Sequence, residues 1–406
     1  MKYLLCFLFF FLFFYPSVRC LKEDPDIKRD VTQMITSKGY PCELLTVTTE
    51  DDFYLGLHNM PNPGKPPVIL WHGIAQNAAS WTCNFPGEDL IYFLYDAGFD
   101  VYLGNSRGNN YSMSSKLYNP KKDPKDFFNN CYIDYMTKYD LPATVDYILE
   151  KTGFEKIAYV GHSQGTIINF AALASNPDYA SKINFFAALA PAVFLKHTNS
   201  SLIRLVEEFV DNNNIFDLFD LFHTYNLDIN NPVLKIVMSY LCKLLPTACD
   251  SIFWMVAGYD PKHLNITRNP VYVAHLDSLP LRDMKMLDQW THTGRFQMFD
   301  FGNDQDNYIH YGQNTPPLYQ LSNIIPGKAP KMMIFYGGND LLADPYDVEH
   351  YLLPRLNPDL FWEKPIFISD YSHADFLWAQ NAKDLIYKKI VNALLQLDFG
   401  KVNNYF

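Results

Sequence analysis

Five residues constrain this chain more than any other stretch: Gly161-His162-Ser163-Gln164-Gly165. Residues 157–160 before them are apolar on both faces, and 166–174 after them form a good helix sequence. The spacing therefore predicts a strand that turns abruptly into a helix at a serine. On so tight a turn the serine is forced toward positive φ, and its neighbours must lack side chains for the chain to reverse. Gly161 and Gly165 meet that need. The turn exposes the Oγ of Ser163 above a helix amino terminus, where developing negative charge is favoured.

The remaining pattern repeats this alternation. Residues 31–35 read as a short helix stopped by Gly39, and 43–49 with 53–59 as a hairpin around Asp51-Asp52. Apolar strands are expected at 68–71, 99–103, 331–336 and 365–369, with helices at 90–97 and about 381–396. Asp140 is positioned to cap a further helix that has Pro142 in its first turn and ends at Gly153. Strands apolar on both faces, alternating with helices, indicate an α/β fold with a mostly parallel sheet between helix layers. Strand signals vanish from 197 to 321, which reads as a helical insertion over the sheet's carboxyl edge. The expected layout is a leader at 1–20, core at 21–196, cap and lid insertion at 197–321, and core again at 322–406. With 48% hydrophobic and 19% charged residues, the chain has ample material for such a core, and a disordered or disulfide-scaffold chain is excluded.

Lys2, thirteen apolar residues (3–15) and a small-residue stretch ending at Cys20 have the form of a secretory signal peptide, too short to span a bilayer comfortably. No later run reaches transmembrane length. Five cysteines follow the leader (Cys42, Cys83, Cys131, Cys242 and Cys249), so at least one thiol stays free or pairs outside the chain. None forms a CxxC element, which argues against zinc. Sequons at Asn110, Asn199 and Asn265 fit passage through a secretory lumen. The net charge of −11, without a basic stripe, makes nucleic acid an unsuitable partner and gives no attraction to anionic membranes. Adsorption to a lipid surface would instead need exposed apolar area, for which 215–222, 236–241 and 252–255 in the insertion are candidates.

A serine hydroxyl is a weak nucleophile; it needs a base, and the base an orienting acid. In this fold class the chain order is serine, acid, histidine. Asp340 follows the strand at 331–336, at the sheet edge where ligands gather. Asp344 and Asp347 are rivals, but a helical segment carries them away. His373 is the histidine in a loop directly after a late strand. The oxyanion of an acyl-transfer intermediate needs two donors: the backbone N–H of Gln164, and one from the loop after His72-Gly73, most simply that of Ile74. His162 reads as packing support.

These residues also carry a resemblance. Together with Gly104-Asn105-Ser106-Arg107-Gly108-Asn109, Lys138-Tyr139-Asp140-Leu141-Pro142-Ala143, Gly337-Gly338-Asn339-Asp340-Leu341-Leu342-Ala343-Asp344 and His373-Ala374-Asp375-Phe376, the chain resembles the acid lipase family along nearly all its length. The resemblance implies an α/β-hydrolase core with a helical cap and lid. It also implies cofactor-free hydrolysis of triacylglycerol or sterol esters at a lipid–water interface, in an extracellular or lysosomal lumen. Position by position it assigns Ser163 as nucleophile, Asp340 as acid, His373 as base and Gln164 and Ile74 as oxyanion donors. It also implies a cap disulfide between Cys242 and Cys249, with Cys83 and Cys131 either bridged or apart. Two departures stand out. Leu276-Asp277-Ser278-Leu279-Pro280-Leu281 replaces the family's Pro-Ala-Gly-Thr-Ser run, and Ala257 stands at a cap position where some relatives carry cysteine. Rival readings are an esterase or acyltransferase on smaller soluble esters, and a non-catalytic hydrolase-like binding protein. The latter usually lacks a nucleophile or base that this chain retains.

Overall fold

The computed structural model describes residues 24–200, 221–228 and 262–401. The leader, Cys242 with Cys249, Ala257 and the apolar stretches 236–241 and 252–255 lie outside those residues; of 215–222 only Leu221 and Phe222 are described, and both are exposed.

A hairpin of β1 (Glu43–Thr48) and β2 (Phe53–Met60) opens the sheet. Then come β3 (Pro67–Trp71), β4 (Asp100–Leu103), the two-residue β5 (Ser114–Ser115), β6 (Ile157–His162) and β7 (Ile183–Leu189). After the insertion, β10 (Lys331–Gly337) and β11 (Ile366–Ile368) complete it. The spatial order is β1-β2-β4-β3-β6-β7-β10-β11, with β5 on β2. From β4 to β11 every pairing is parallel, while β1, β2 and β5 form an antiparallel edge. Every residue of β3, β4 and β6 is buried, as expected of strands covered on both faces. β1 mostly alternates, with Leu44, Thr46 and Thr48 exposed, because one of its sides meets solvent.

The helices that cover the sheet start and stop where the sequence implies. Asp30 caps α1 (Val31–Thr36) in a capping box with Gln33. The helices α2 (Leu90–Asp96), α3 (Leu141–Thr152) and α4 (Gln164–Ser175) follow β3, precede β6 and follow β6 respectively. Nearly all of α4 is buried, so it is the central helix. In the insertion α5 (Leu281–Thr293) is amphipathic. The carboxyl-terminal helix is a π-type turn, Lys383–Tyr387, running into α6 (Lys388–Leu394).

Two expectations change, and one open alternative is decided. Asp140 makes no capping hydrogen bond; the chain enters α3 already coiled, through a π-type turn at Met136–Asp140. Its carboxylate, fully buried, instead meets Arg107 at 2.7 Å, and Arg107 also pairs with Asp51. The insertion is not strand-free: β8 (Asn226–Leu227) pairs antiparallel with β9 (Leu279–Pro280). Cys42, Cys83 and Cys131 are free thiols, the last two fully buried, so no Cys83–Cys131 bridge forms.

The topology fixes where a ligand can sit. From β3 the chain moves one way across the sheet to β4; from β6 it moves the other way to β7. Between the carboxyl ends of β3 and β6 the flanking connections therefore diverge, leaving the crevice in which doubly wound sheets bind ligands.

Candidate active site

Ser163 stands at that crevice, directly after β6. Its backbone has φ 52° and ψ −119°, a conformation costly for a side-chain-bearing residue and the one the elbow requires. The glycines are needed for close approach: a Cβ on Gly165 would lie 2.3 Å from the Trp71 carbonyl oxygen, and one on Gly161 would lie 2.6 Å from that of Gly165. The Ser163 N–H donates to Leu189 O at 3.0 Å, and its own C=O accepts from Thr166, which locks the turn. Gln164 is the first residue of α4, so its amide has no intrahelical acceptor.

Asp340 and His373 arrive from β10 and β11. His373 Nδ1 lies 2.8 Å from Asp340 Oδ2, while Asp340 Oδ1 accepts from the amides of Leu342 and Ala343 at 2.9 and 2.8 Å. The acid is thus anchored by backbone donors on one oxygen and spends the other on the imidazole. The second ring nitrogen, Nε2, is buried and has no hydrogen-bond partner. No hydrogen bond joins it to Ser163 here; such contacts tighten as substrate arrives. Asp344 and Asp347 serve elsewhere: Asp344 accepts from Tyr346 N–H, and Asp347 binds His197.

Two histidines near the nucleophile have structural roles. His162 Nε2 donates to the backbone carbonyl of His373 at 3.0 Å, and their ring centroids are 4.8 Å apart. Burial, then the nearby His373, holds the His162 pKa well below the usual value, so it stays neutral and supports the His373 loop. His72 Nε2 accepts from the amide of Ser106 at 3.1 Å, and burial brings its pKa down to about 4. Its proton therefore sits on Nδ1, which donates to the Gly73 carbonyl at 2.7 Å and fixes the loop leading to Ile74.

Other contributors escaped the sequence reading. Asp375 Oδ2 accepts from both the amide and the hydroxyl of Ser372, fastening the turn that presents His373. Asp277, from the segment that departs from the family pattern, touches the Ile74 loop, and Asp283, just beyond that segment, touches the elbow. Asp283 Oδ2 accepts from Gln164 Nε2, and burial pushes its pKa up to about 7. The only local signal was their acidity within a largely apolar stretch.

With this geometry in hand, the comparisons are decisive. Residues 66–380 match the model of the alpha/beta hydrolase fold, and 31–85 that of a partial alpha/beta-hydrolase lipase region. The gastric triacylglycerol lipase of Rattus norvegicus is 39% identical over 386 residues, covering 92% of this chain and 93% of that protein. The chain belongs to the acid lipase family. Another family member, the lysosomal acid lipase/cholesteryl ester hydrolase of Macaca fascicularis, is 34% identical over 91% of this chain and 92% of its own length. Among solved structures, a bacterial membrane phospholipase A superposes with a TM-score of 0.50 at 11% identity, covering 90% of this chain and 89% of that one, which speaks for the fold alone.

Proposed function

We propose that this acid lipase family member hydrolyses lipid carboxylic esters through an acyl-enzyme on Ser163. The observation that carries the assignment is the His373–Asp340 pair. One ring nitrogen is held at 2.8 Å by a buried carboxylate, and the other is left buried without a partner, on a ring that packs against His162, the neighbour of the strained serine. In this reading His373 Nε2 takes the proton as Ser163 Oγ attacks the ester carbonyl carbon. The N–H groups of Gln164 and Ile74 receive the resulting oxyanion. Collapse expels the alcohol, protonated by His373; water activated by the same histidine then releases the fatty acid. Asp340 keeps the imidazole in the correct tautomer and stabilises its cation without itself taking the proton.

The family match supports a triacylglycerol or sterol ester as substrate, met at a lipid–water interface. The leader and sequons support delivery through the secretory pathway to the cell exterior or the lysosomal lumen. Asn110 and Asn199 are exposed and Asn265 is half-buried, so all three are placed at or near the surface. No helix among the described residues is long and apolar enough to cross a membrane.

Ser163→Ala should lower turnover by about 10⁶-fold, because members of a triad act as a unit. A serine-reactive phosphonate should label Ser163 alone. Retained activity in the folded variant would sink the assignment. Emulsified triolein, cholesteryl oleate and soluble p-nitrophenyl esters, each assayed from pH 4 to 8, separate the lipase from an esterase of small soluble substrates.

A further inference from the structure

We infer that Asp277 and Asp283 are positioning residues that hold the two oxyanion donors in register from a single strut, the segment that runs from just before β9 into the first turn of α5. The inference rests on the assignment of Ser163, Gln164 and Ile74 above.

On one side of the crevice, Asp277 is fully buried and grips the loop that carries Ile74. Its own N–H donates to Ala75 O at 2.8 Å. Its carboxylate accepts from Asn77 Nδ2 at 2.5 Å, from the amide of Ser278 at 2.6 Å and from the amide of Asn110 at 3.2 Å. Ala75 has φ 53°, a left-handed conformation unfavourable for alanine, and it directly follows Ile74. Strain of this kind persists only where surrounding contacts over-determine it. Here they come from Asp277 on one flank and, on the other, from the Gly73 amide, which donates to Gln76 Oε1 at 2.9 Å. The peptide between these two restraints presents the Ile74 N–H.

On the other side, Asp283 binds Gln164, the residue after the nucleophile. Its Oδ2 accepts from Gln164 Nε2, and its Oδ1 accepts from the Ile133 amide at 3.1 Å. Both of these partners are neutral, and Asp134 nearby adds repulsion. A carboxylate buried on such terms is costly for stability. It does, however, tether the side chain of Gln164, the residue whose amide is the second donor. The two carboxylates stand six positions apart, so the donor from β3's loop and the donor from β6's elbow are referenced to one piece of backbone. That piece belongs to the insertion, which makes the cap a part of the catalytic alignment as well as a cover.

The test uses the full-length enzyme and soluble p-nitrophenyl butyrate, so that adsorption to an emulsion does not enter. Asp277→Ala and Asp283→Ala should each lower kcat by about 10²-fold with KM within about twofold, since misplacing a donor costs nearly as much as losing it. Inhibition by a trifluoromethyl ketone, which forms a tetrahedral oxyanion on the serine, should weaken by a similar factor. Asp283→Asn, which keeps an acceptor for Gln164 Nε2, should recover activity to within about tenfold of the parent. Should an aspartate variant fail to fold, Asn77→Ala and Gln164→Ala remove the partner side chains instead and should reproduce the kcat loss. Lowered thermal stability with unchanged kcat and ketone affinity would overturn the inference, as would unchanged kcat in both partner variants. Ser163→Ala, run alongside, separates the two claims. If it retains turnover, the reading of the site fails; if it is dead while the aspartate variants keep their kcat, only the strut fails.

Discussion

Stability of this protein should peak near pH 6.5 and fall toward alkaline pH, for reasons that can be worked out from its buried groups. Burial raises Asp89 from 3.8 to about 8, Asp283 to about 7 and Asp134 to about 6. Each of these carboxyls is protonated in the folded chain and ionised in the unfolded one between 3.8 and its raised value. Each therefore contributes stability that is lost as pH rises through that value. Three histidines act in the opposite sense. Burial lowers His58 and His72 from 6.5 to about 4 and holds His162 well below its usual value, so each contributes stability above 6.5 that is lost as pH falls. Between pH 6 and 4 the raised carboxyls and the lowered histidines act in opposite senses and offset one another. Between pH 8 and 6.5 the carboxyls act unopposed: Asp89 throughout, Asp283 over the last half-unit. At about 1.4 kcal/mol per proton per pH unit, the gain on acidifying from 8 to 6.5 is about 3 kcal/mol. Below about 4 a further loss sets in. Asp26 and Asp51 are pulled upward by burial, but hydrogen bonds from Arg268 and Arg107 outweigh this and hold both below 3.8. With an unfolding entropy of about 2 cal/mol/K per residue, 3 kcal/mol corresponds to about 3–4 °C in Tm for a chain of this length. Differential scanning fluorimetry in matched-ionic-strength buffers from pH 3 to 9 reads this directly. Asp89→Asn, which keeps an acceptor for the Asn84 amide, should flatten most of the alkaline limb. A Tm that climbs steadily from pH 6 to 8, or an alkaline limb untouched by Asp89→Asn, would refute the reasoning.

Two further outcomes are expected. Arg107→Ala strands the fully buried Asp140 without its cation and should cost about 3–5 kcal/mol in urea unfolding; Arg107→Met combined with Asp140→Leu should recover most of it, and a neutral single variant would contradict the pairing. Non-reducing peptide mapping should find Cys242 joined to Cys249 and the thiols of Cys42, Cys83 and Cys131 free, and two free cap thiols would reject the bridge.

Local pattern sufficed wherever burial was uniform. The strands β3 and β6 are covered on both faces, which writes a continuous apolar run into the sequence, and the elbow between β6 and α4 leaves its glycines at fixed offsets. Asp340 and His373 were legible as candidates because each follows a late strand, although β11 before His373 is only partly buried. What stayed hidden was long-range. Asp140 has the residue type and the following proline of a cap, but its carboxylate went to an arginine 33 positions earlier. Asp283 reaches Gln164 across 119 positions and Asp277 reaches Asn77 across 200, distances over which no periodicity carries information. The pairing of β8 with β9 involves only two residues on each strand, too few for alternation to register.

The way the sheet is assembled also sets a clock on the enzyme's birth. Ser163 directly follows β6, but its proposed partners Asp340 and His373 follow β10 and β11, and β10 adds to the sheet beside β7 only after residues 197–321 have been made. A ribosome that has delivered the serine must still supply 177 residues before Asp340 exists and 33 more before His373 does. For about half of its synthesis the nascent chain therefore holds Ser163 without the histidine proposed to draw its proton. The proposed triad is therefore complete only once β10 and β11, the last strands of the sheet, have joined it.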